Sequence, residues 1–294
     1  CVKVFISKII RRKKQMSEFS YLSQKILDSP TLGDPYDHIQ IDNFLNDDHL
    51  SKVLNNSQVH FSEIASHEEL IQTLLDKKYE IISFPGCKVD INEYLARLHS
   101  GVWTYKDGVP IDSFGITFRL TDYQDTFLKS LITYLNGDEF HNSIKKRFNI
   151  EENTEIISAV QKNLTKYQIS PHPDVSTKSM TYLININKDE SVSEYGVHTH
   201  MLKFKPEYDY IYGVWEKGDL EREWVPWDWC DTVKTHSPNN SLIMFKPSHK
   251  TLHAVNLDYP HLKFQRTQIY GNLNYPDRPK KEYRPNKYKD LDKK

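Results

Sequence analysis

Cysteine is scarce in this chain of 294 residues: three thiols, Cys1, Cys87 and Cys230, odd in number and far apart. A disulfide framework needs paired cysteines, so the count excludes a disulfide-built scaffold and favours a reducing compartment, the cytoplasm. No apolar run approaches the roughly 18 residues of a membrane span, which leaves no expectation of a membrane-embedded partner. Glycine is also sparse, 10 residues in all. No Gly-rich phosphate loop and no internal repeat is found, so nucleotide-binding and solenoid folds have no support. Strong net charge is missing too, the formal value being -1. Six of the positive residues (Lys3, Lys8, Arg11, Arg12, Lys13, Lys14) sit in residues 1–15, and without them the charge falls to -7. An acidic body argues against nucleic acid as a partner.

What is present suits a soluble globular chain, with 38% hydrophobic, 27% charged and 12% aromatic residues. The length fits one large domain. Residues 1–15 read as an extraneous or disordered N-terminus, since the basic cluster follows the apolar stretch and no small-residue cleavage site is evident. Residues 16–150 read as a mostly helical support. A strand is expected at 38–41, then a helix with Asn46 as N-cap and Asp47 and Asp48 in its first turn. Helical stretches follow at 67–79, 90–99, 122–135 and 138–148, with a strand at 115–120 between them. The core sheet is expected over 151–275, and the basic, proline-containing 276–294 reads as a disordered tail.

The sequence YQISPHPDVSTKSMTYLININ at 167–187 holds the sole His-x-Asp, His172 and Asp174. That tripeptide arises by chance about once in a chain this rich in His, so its surroundings carry the argument. It runs into an alternating strand at 180–186. A second buried strand, Ser241 to Phe245, precedes His253, and a third candidate strand at 264–270 carries Arg266. Two His and one carboxylate form a facial set that holds a non-haem Fe(II) and leaves three positions open. Residues two apart at a strand end share a direction, so a strand partner must bring the third ligand. Arg266, read as lying across a hairpin turn from His253, offers a fork of donors to a dicarboxylate.

Other residues have a functional and a plain reading side by side. Tyr182 is placed on the inward face of its strand, as a co-substrate contact or a core tyrosine, and Gln268 and Tyr270 share the face of Arg266 in the same way. His198 and His200 form a rival metal pair, although the carboxylate a cupin-type site needs is no nearer than Glu207. Lys263 and Arg278 compete with Arg266 as anion anchors. Residues 188–237, holding Trp215, Trp224, Trp227, Trp229 and four tyrosines, read as an aromatic insert folding over the mouth of the barrel, stacking on a ring-shaped ligand or packing on itself.

The order YQISPHPD, TYLININ, NNSLIMFKPSHKTLHAV, RTQIYGNL resembles the 2-oxoglutarate- and Fe(II)-dependent oxygenases, within them the prolyl-4-hydroxylase-like branch, over roughly residues 155–275. PYDHIQIDNFLNDDHL resembles the strand-to-helix opening of many such proteins. The resemblance implies a double-stranded β-helix, or jelly roll, mainly β with N-terminal helices packed on one sheet. It implies His172, Asp174 and His253 as catalytic iron ligands, with Arg266 and Tyr182 binding the co-substrate. Fe(II), 2-oxoglutarate and O2 would be required, with ascorbate as an auxiliary reductant. The implied reaction is hydroxylation of a C–H bond, in a protein side chain or a small molecule, with release of succinate and CO2. A jelly-roll binding module without catalysis is the alternative from another functional class.

Overall fold

A computed structural model describes residues 17–82, 90–102, 113–188, 190–217 and 224–279. The expectations for 1–15, for Cys87 and for most of the basic tail lie outside the described residues.

The chain runs α1 (Ser20–Asp28), β1 (His38–Ile41), α2 (Asp47–Leu54), α3 (His67–Asp76), β2 (Tyr79–Ile81), α4 (Ile91–Ser100), β3 (Ser113–Phe114), β4 (Thr117–Leu120), α5 (Thr126–Leu135) and α6 (Asp138–Phe148). It continues β5 (Glu155–Asn163), β6 (Gln168–His172), β7 (Lys178–Asn185), β8 (Thr199–Phe204), α7 (Tyr210–Lys217), β9 (Cys230–His236), β10 (Ser241–Phe245), β11 (His253–Asn256) and β12 (Arg266–Asn274). The strands form two antiparallel sheets, a seven-stranded one in the order β1-β10-β7-β12-β5-β4-β2 and a five-stranded one in the order β3-β6-β11-β8-β9.

Local chemistry sets the helix starts. Asn46, Ser66, Asp90 and Asp125 each accept a hydrogen bond from the backbone N–H three residues on, which satisfies one of the free donors of a first turn. The predicted helix at 67–79 ends at Asp76, because Lys78 takes a positive φ of 74° and the chain turns into β2.

Strand alternation divides the large sheet into two faces. Met180, Tyr182, Ile184, Leu242, Met244, Ile269 and Leu273 point to the helices and join Leu128, Leu131, Leu135, Phe140 and Ile144 in the main core. The opposite face carries Leu183, Ile243, Phe245 and Tyr270 and meets Met201 of the small sheet, with Tyr36 among them. This second layer is heavily polar: Gln161, Asn163, Asn185, Arg266 and Gln268 are all buried there. Gly271 is required on the helix side, since a Cβ would enter the Tyr182 ring lying across it.

Several expectations are corrected. The region 16–150 is more than helical support, because it supplies β1, β2 and β4 to the large sheet and β3 to the small one. The stretch 188–237 is not a separate flap, because β8 and β9 are integral strands of the small sheet. Its aromatic residues pack on one another: Tyr208 stacks on Trp229 at 4.9 Å, and Phe204 meets Tyr212 at 4.8 Å and Trp215 at 5.6 Å. Finally, β11 and β12 do not form a hairpin, since the chain leaves the small sheet after Asn256 and enters the large one at Arg266.

Candidate metal centre

His172 ends β6, His253 begins β11, and the two are direct cross-strand partners. Their ring centroids are 4.4 Å apart. Asp174 follows two residues after His172, and its Oδ2 lies 3.8 Å from His253 Nε2. One ligand atom from each of the three falls within 4.8 Å of the others, and among the described residues this is the one group of three such side chains close enough to hold a metal ion. All three are buried.

Each imidazole is oriented by its own backbone. His172 Nδ1 is 2.8 Å from Ser170 O and His253 Nδ1 is 3.0 Å from Thr251 O, so each Nδ1–H donates to a carbonyl and each Nε2 lone pair is left for a metal. Burial lowers the pKa of both rings, His172 to about 3 with the neighbouring His253 adding to the effect. Burial works to raise Asp174, but Lys178 and the two imidazoles hold its carboxyl well below the usual range. Two neutral imidazoles and one carboxylate are the protonation states a divalent metal requires, so the residues present fit the ion that the sequence implies.

Two partners fix the carboxylate. Lys178 Nζ donates to Asp174 Oδ1 at 2.5 Å, and the Thr181 hydroxyl donates to Oδ2. Lys178 also donates to the Tyr270 hydroxyl at 3.1 Å. Neither Lys178 nor Thr181 emerges from the sequence reading, although both lie on β7 directly after the His-x-Asp. A lysine four residues past the Asp, across a short turn, was the available signal.

Arg266 points between the sheets. Its Nη1 donates to Asn163 Oδ1 at 2.7 Å and its Nη2 to Thr199 Oγ1 at 2.9 Å. It is 3% exposed, and among the described residues no carboxylate pairs with it. Burial lowers its pKa to about 10. Met201 is the cross-strand partner of His253, and Thr199 stands two residues before it, about 7 Å along β8. The guanidinium is thereby anchored one short molecule's length from the triad.

Tyr182 is corrected. It lies on the helix side of the large sheet, its hydroxyl pairs with Ser158 and its ring meets Phe140 at 5.7 Å, so it faces away from Arg266 and the triad. Gln268 and Tyr270 do share the Arg266 face, Gln268 through a hydrogen bond to Asn185 at 2.7 Å. His198 and His200 pack ring to ring at 4.4 Å, with His200 against Trp227 and 3.0 Å from the Thr232 hydroxyl. They alternate with Thr199, which faces Arg266, so they line the other face of the small sheet. Glu207 is exposed on a short 3-10 helix and Lys263 on a turn. Arg278 sits 3.6 Å over the Tyr275 ring and donates to Ser176 O.

The wall beside the triad is aromatic. Trp224 lies 6.1 Å from the His172 ring and Phe245 lies 5.1 Å from the His253 ring. Tyr36 makes an edge contact of 5.5 Å with Phe245 and is 6% exposed, and its hydroxyl has no hydrogen-bond partner. A buried phenol left unpaired costs stability unless a bound molecule meets it. Nothing in PYDHIQ singled out Tyr36 by sequence.

No protein-family model matches the chain, and no curated protein matches it. Solved structures do resemble it at the level of coordinates. A prolyl-4-hydroxylase from Pseudomonas putida is 9% identical, with 87% of this chain and 98% of that one covered at a TM-score of 0.40. A prolyl hydroxylase from Trichoplax adhaerens, solved with a hypoxia inducible factor oxygen degradation domain peptide fragment, is 12% identical, with 90% and 94% covered at 0.38. An oxidoreductase of the 2OG-Fe(II) oxygenase family from Burkholderia pseudomallei is 8% identical, with 76% and 97% covered at 0.32.

Proposed function

We propose that this chain is an Fe(II)- and 2-oxoglutarate-dependent oxygenase built on a double-stranded β-helix. His172 Nε2, His253 Nε2 and Asp174 Oδ2 would hold the metal, and Arg266 would receive the far carboxylate of 2-oxoglutarate. The observation that carries the reading is the pairing of two features: a buried His, Asp, His cluster whose candidate ligand atoms lie within 4.8 Å of one another, and a buried guanidinium with no carboxylate partner among the described residues. A buried arginine without a counter-charge carries a desolvation cost of several kcal/mol, which a bound carboxylate offsets. Asn163 and Thr199 keep its fork rigid, so that little is lost in ordering it.

Iron and 2-oxoglutarate, when bound, supply oxidation by O2, with the oxo acid converted to succinate and CO2 and an oxygen atom delivered to a C–H bond. The protein's own groups do the rest. Ser170 O and Thr251 O fix the tautomer of each imidazole, while Lys178 and Thr181 hold the carboxylate oxygens in place. Phe245, Trp224 and Tyr36 keep bulk water from the triad. The test is succinate release from 2-oxoglutarate with and without Fe(II). Iron-dependent release that Asp174→Ala abolishes is expected, and equal release without iron would refute the reading.

A further inference from the structure

The triad opens onto a wall of the large sheet that carries more positive charge than the metal and co-substrate consume. Lys178 begins β7, Tyr270 lies on the adjoining β12, and Arg119 lies on β4, one strand beyond β5. Arg119 pairs in register with Gln161, Gln161 with Gln268, and Gln268 alternates with Arg266 and Tyr270, so all face the space between the sheets. The contacts run in sequence from the triad outward. Lys178 donates to Asp174 and to the Tyr270 hydroxyl, and the Arg119 guanidinium carbon lies 4.5 Å from the Tyr270 ring centroid. Arg119 Nε donates to Gln161 Oε1 at 3.0 Å, which fixes the plane of the fork while its two terminal nitrogens have no acceptor among the described residues. Its cross-strand neighbour Glu80 accepts from the Thr121 hydroxyl at 3.1 Å and makes no ion pair with it. Ile157 on the same face is 50% exposed, so this part of the wall is open to a ligand.

Resting on the function proposed above, the balance is simple. A divalent iron and the dianion of 2-oxoglutarate cancel. Arg266, Lys178 and Arg119 then stand against the carboxylates of Asp174 and Glu80, an excess of one positive charge along this face. We infer that the substrate is an anion, an elongated molecule with a carboxylate or phosphate that Arg119 receives while its reacting carbon lies at the triad, its body running over Tyr270. An arginine fork held in plane on an aromatic ring is suited to two parallel hydrogen bonds with such a group.

The experiment uses the full chain loaded with Mn(II) and 2-oxoglutarate, titrated calorimetrically with matched pairs: N-acetyl amino acids against their amides, and sugar or nucleoside phosphates against the parent alcohols. Binding by the charged member alone is expected, and the series that binds separates carboxylate from phosphate. Arg119→Gln should weaken that binding at least tenfold and Arg119→Lys by less, with an unchanged melting temperature as the control for folding. The same charged compound should stimulate succinate formation by the Fe(II) enzyme, and its amide or alcohol should not. Binding of neutral members as tight as that of the acids, binding indifferent to Arg119→Gln, or no binding by either series overturns the inference. Failure of 2-oxoglutarate itself to bind the Mn(II) protein would instead remove the functional reading on which it rests.

Discussion

Asp174 has two oxygens with different neighbours, and that asymmetry defines what the site does. Oδ1 faces the Lys178 ammonium, and Oδ2 faces His253 Nε2. Asp174→Ala removes a proposed ligand and leaves Lys178 a buried cation without its partner, so Mn(II) affinity should fall by at least about a hundredfold, measured by calorimetry. Arg266→Lys keeps the charge and loses the fork. The dissociation constant for 2-oxoglutarate should rise about tenfold, with Mn(II) affinity altered far less, and Arg266→Ala should be worse. An unchanged constant would move the anchor elsewhere. Tyr36→Phe deletes only an unpartnered hydroxyl, so the melting temperature of the unliganded protein should hold or rise. A fall of several degrees would show that the hydroxyl is bonded in the folded chain.

Among the elements, β7 separates what the sequence revealed from what it concealed. Its alternation was plain, but alternation alone does not say which face meets helices and which meets a second sheet. Both faces of β7 are buried, so Tyr182 went to the wrong side, while Lys178 and Thr181, the residues that touch Asp174, went unnoticed. The His172 to His253 pairing was legible, because ligands at a strand end require a strand partner and the family resemblance picked His253 out of the run SHKTLHAV that follows the buried strand 241–245. The switch of sheets between β11 and β12 was not, since a short turn-like stretch reads as a hairpin whichever sheet the next strand joins. Gly271 belongs to the same layer. Gly271→Ala should destabilise by about 2 kcal/mol, because its methyl enters the Tyr182 ring, and a denaturant midpoint no lower than wild type would contradict this.

For the molecule as a whole, the layer between the sheets is richer in polar groups than the layer under the helices, but the helix side holds a buried cation. Lys162 of β5 is fully buried on the helix side, where its amine donates to Val59 O at 2.5 Å and Thr267 Oγ1 at 2.7 Å, 4.8 Å from the Phe61 ring. Burial lowers its pKa from 10.5 to about 7. The unfolded chain then holds the proton more tightly, so this group's contribution is at its least favourable below pH 7 and improves as pH rises toward 10.5. Chemical denaturation between pH 7 and 9 should show that rising contribution in wild type and its loss in Lys162→Met; parallel profiles would contradict it.

The same division explains what composition made visible. The scarcity of glycine and cysteine excluded other scaffolds, and strand order located the triad. The cations of the cleft, Lys178 and Arg119, come from strands distant in sequence and became visible only when β7, β12, β5 and β4 were laid side by side. The most direct measurement of the central claim is a calorimetric titration of 2-oxoglutarate into the oxygen-free protein, with and without Mn(II). Binding at one site that requires the metal, and that disappears in both His253→Ala and Asp174→Ala, is the predicted result. Metal-independent binding of the same strength, or no binding at all, would contradict the account.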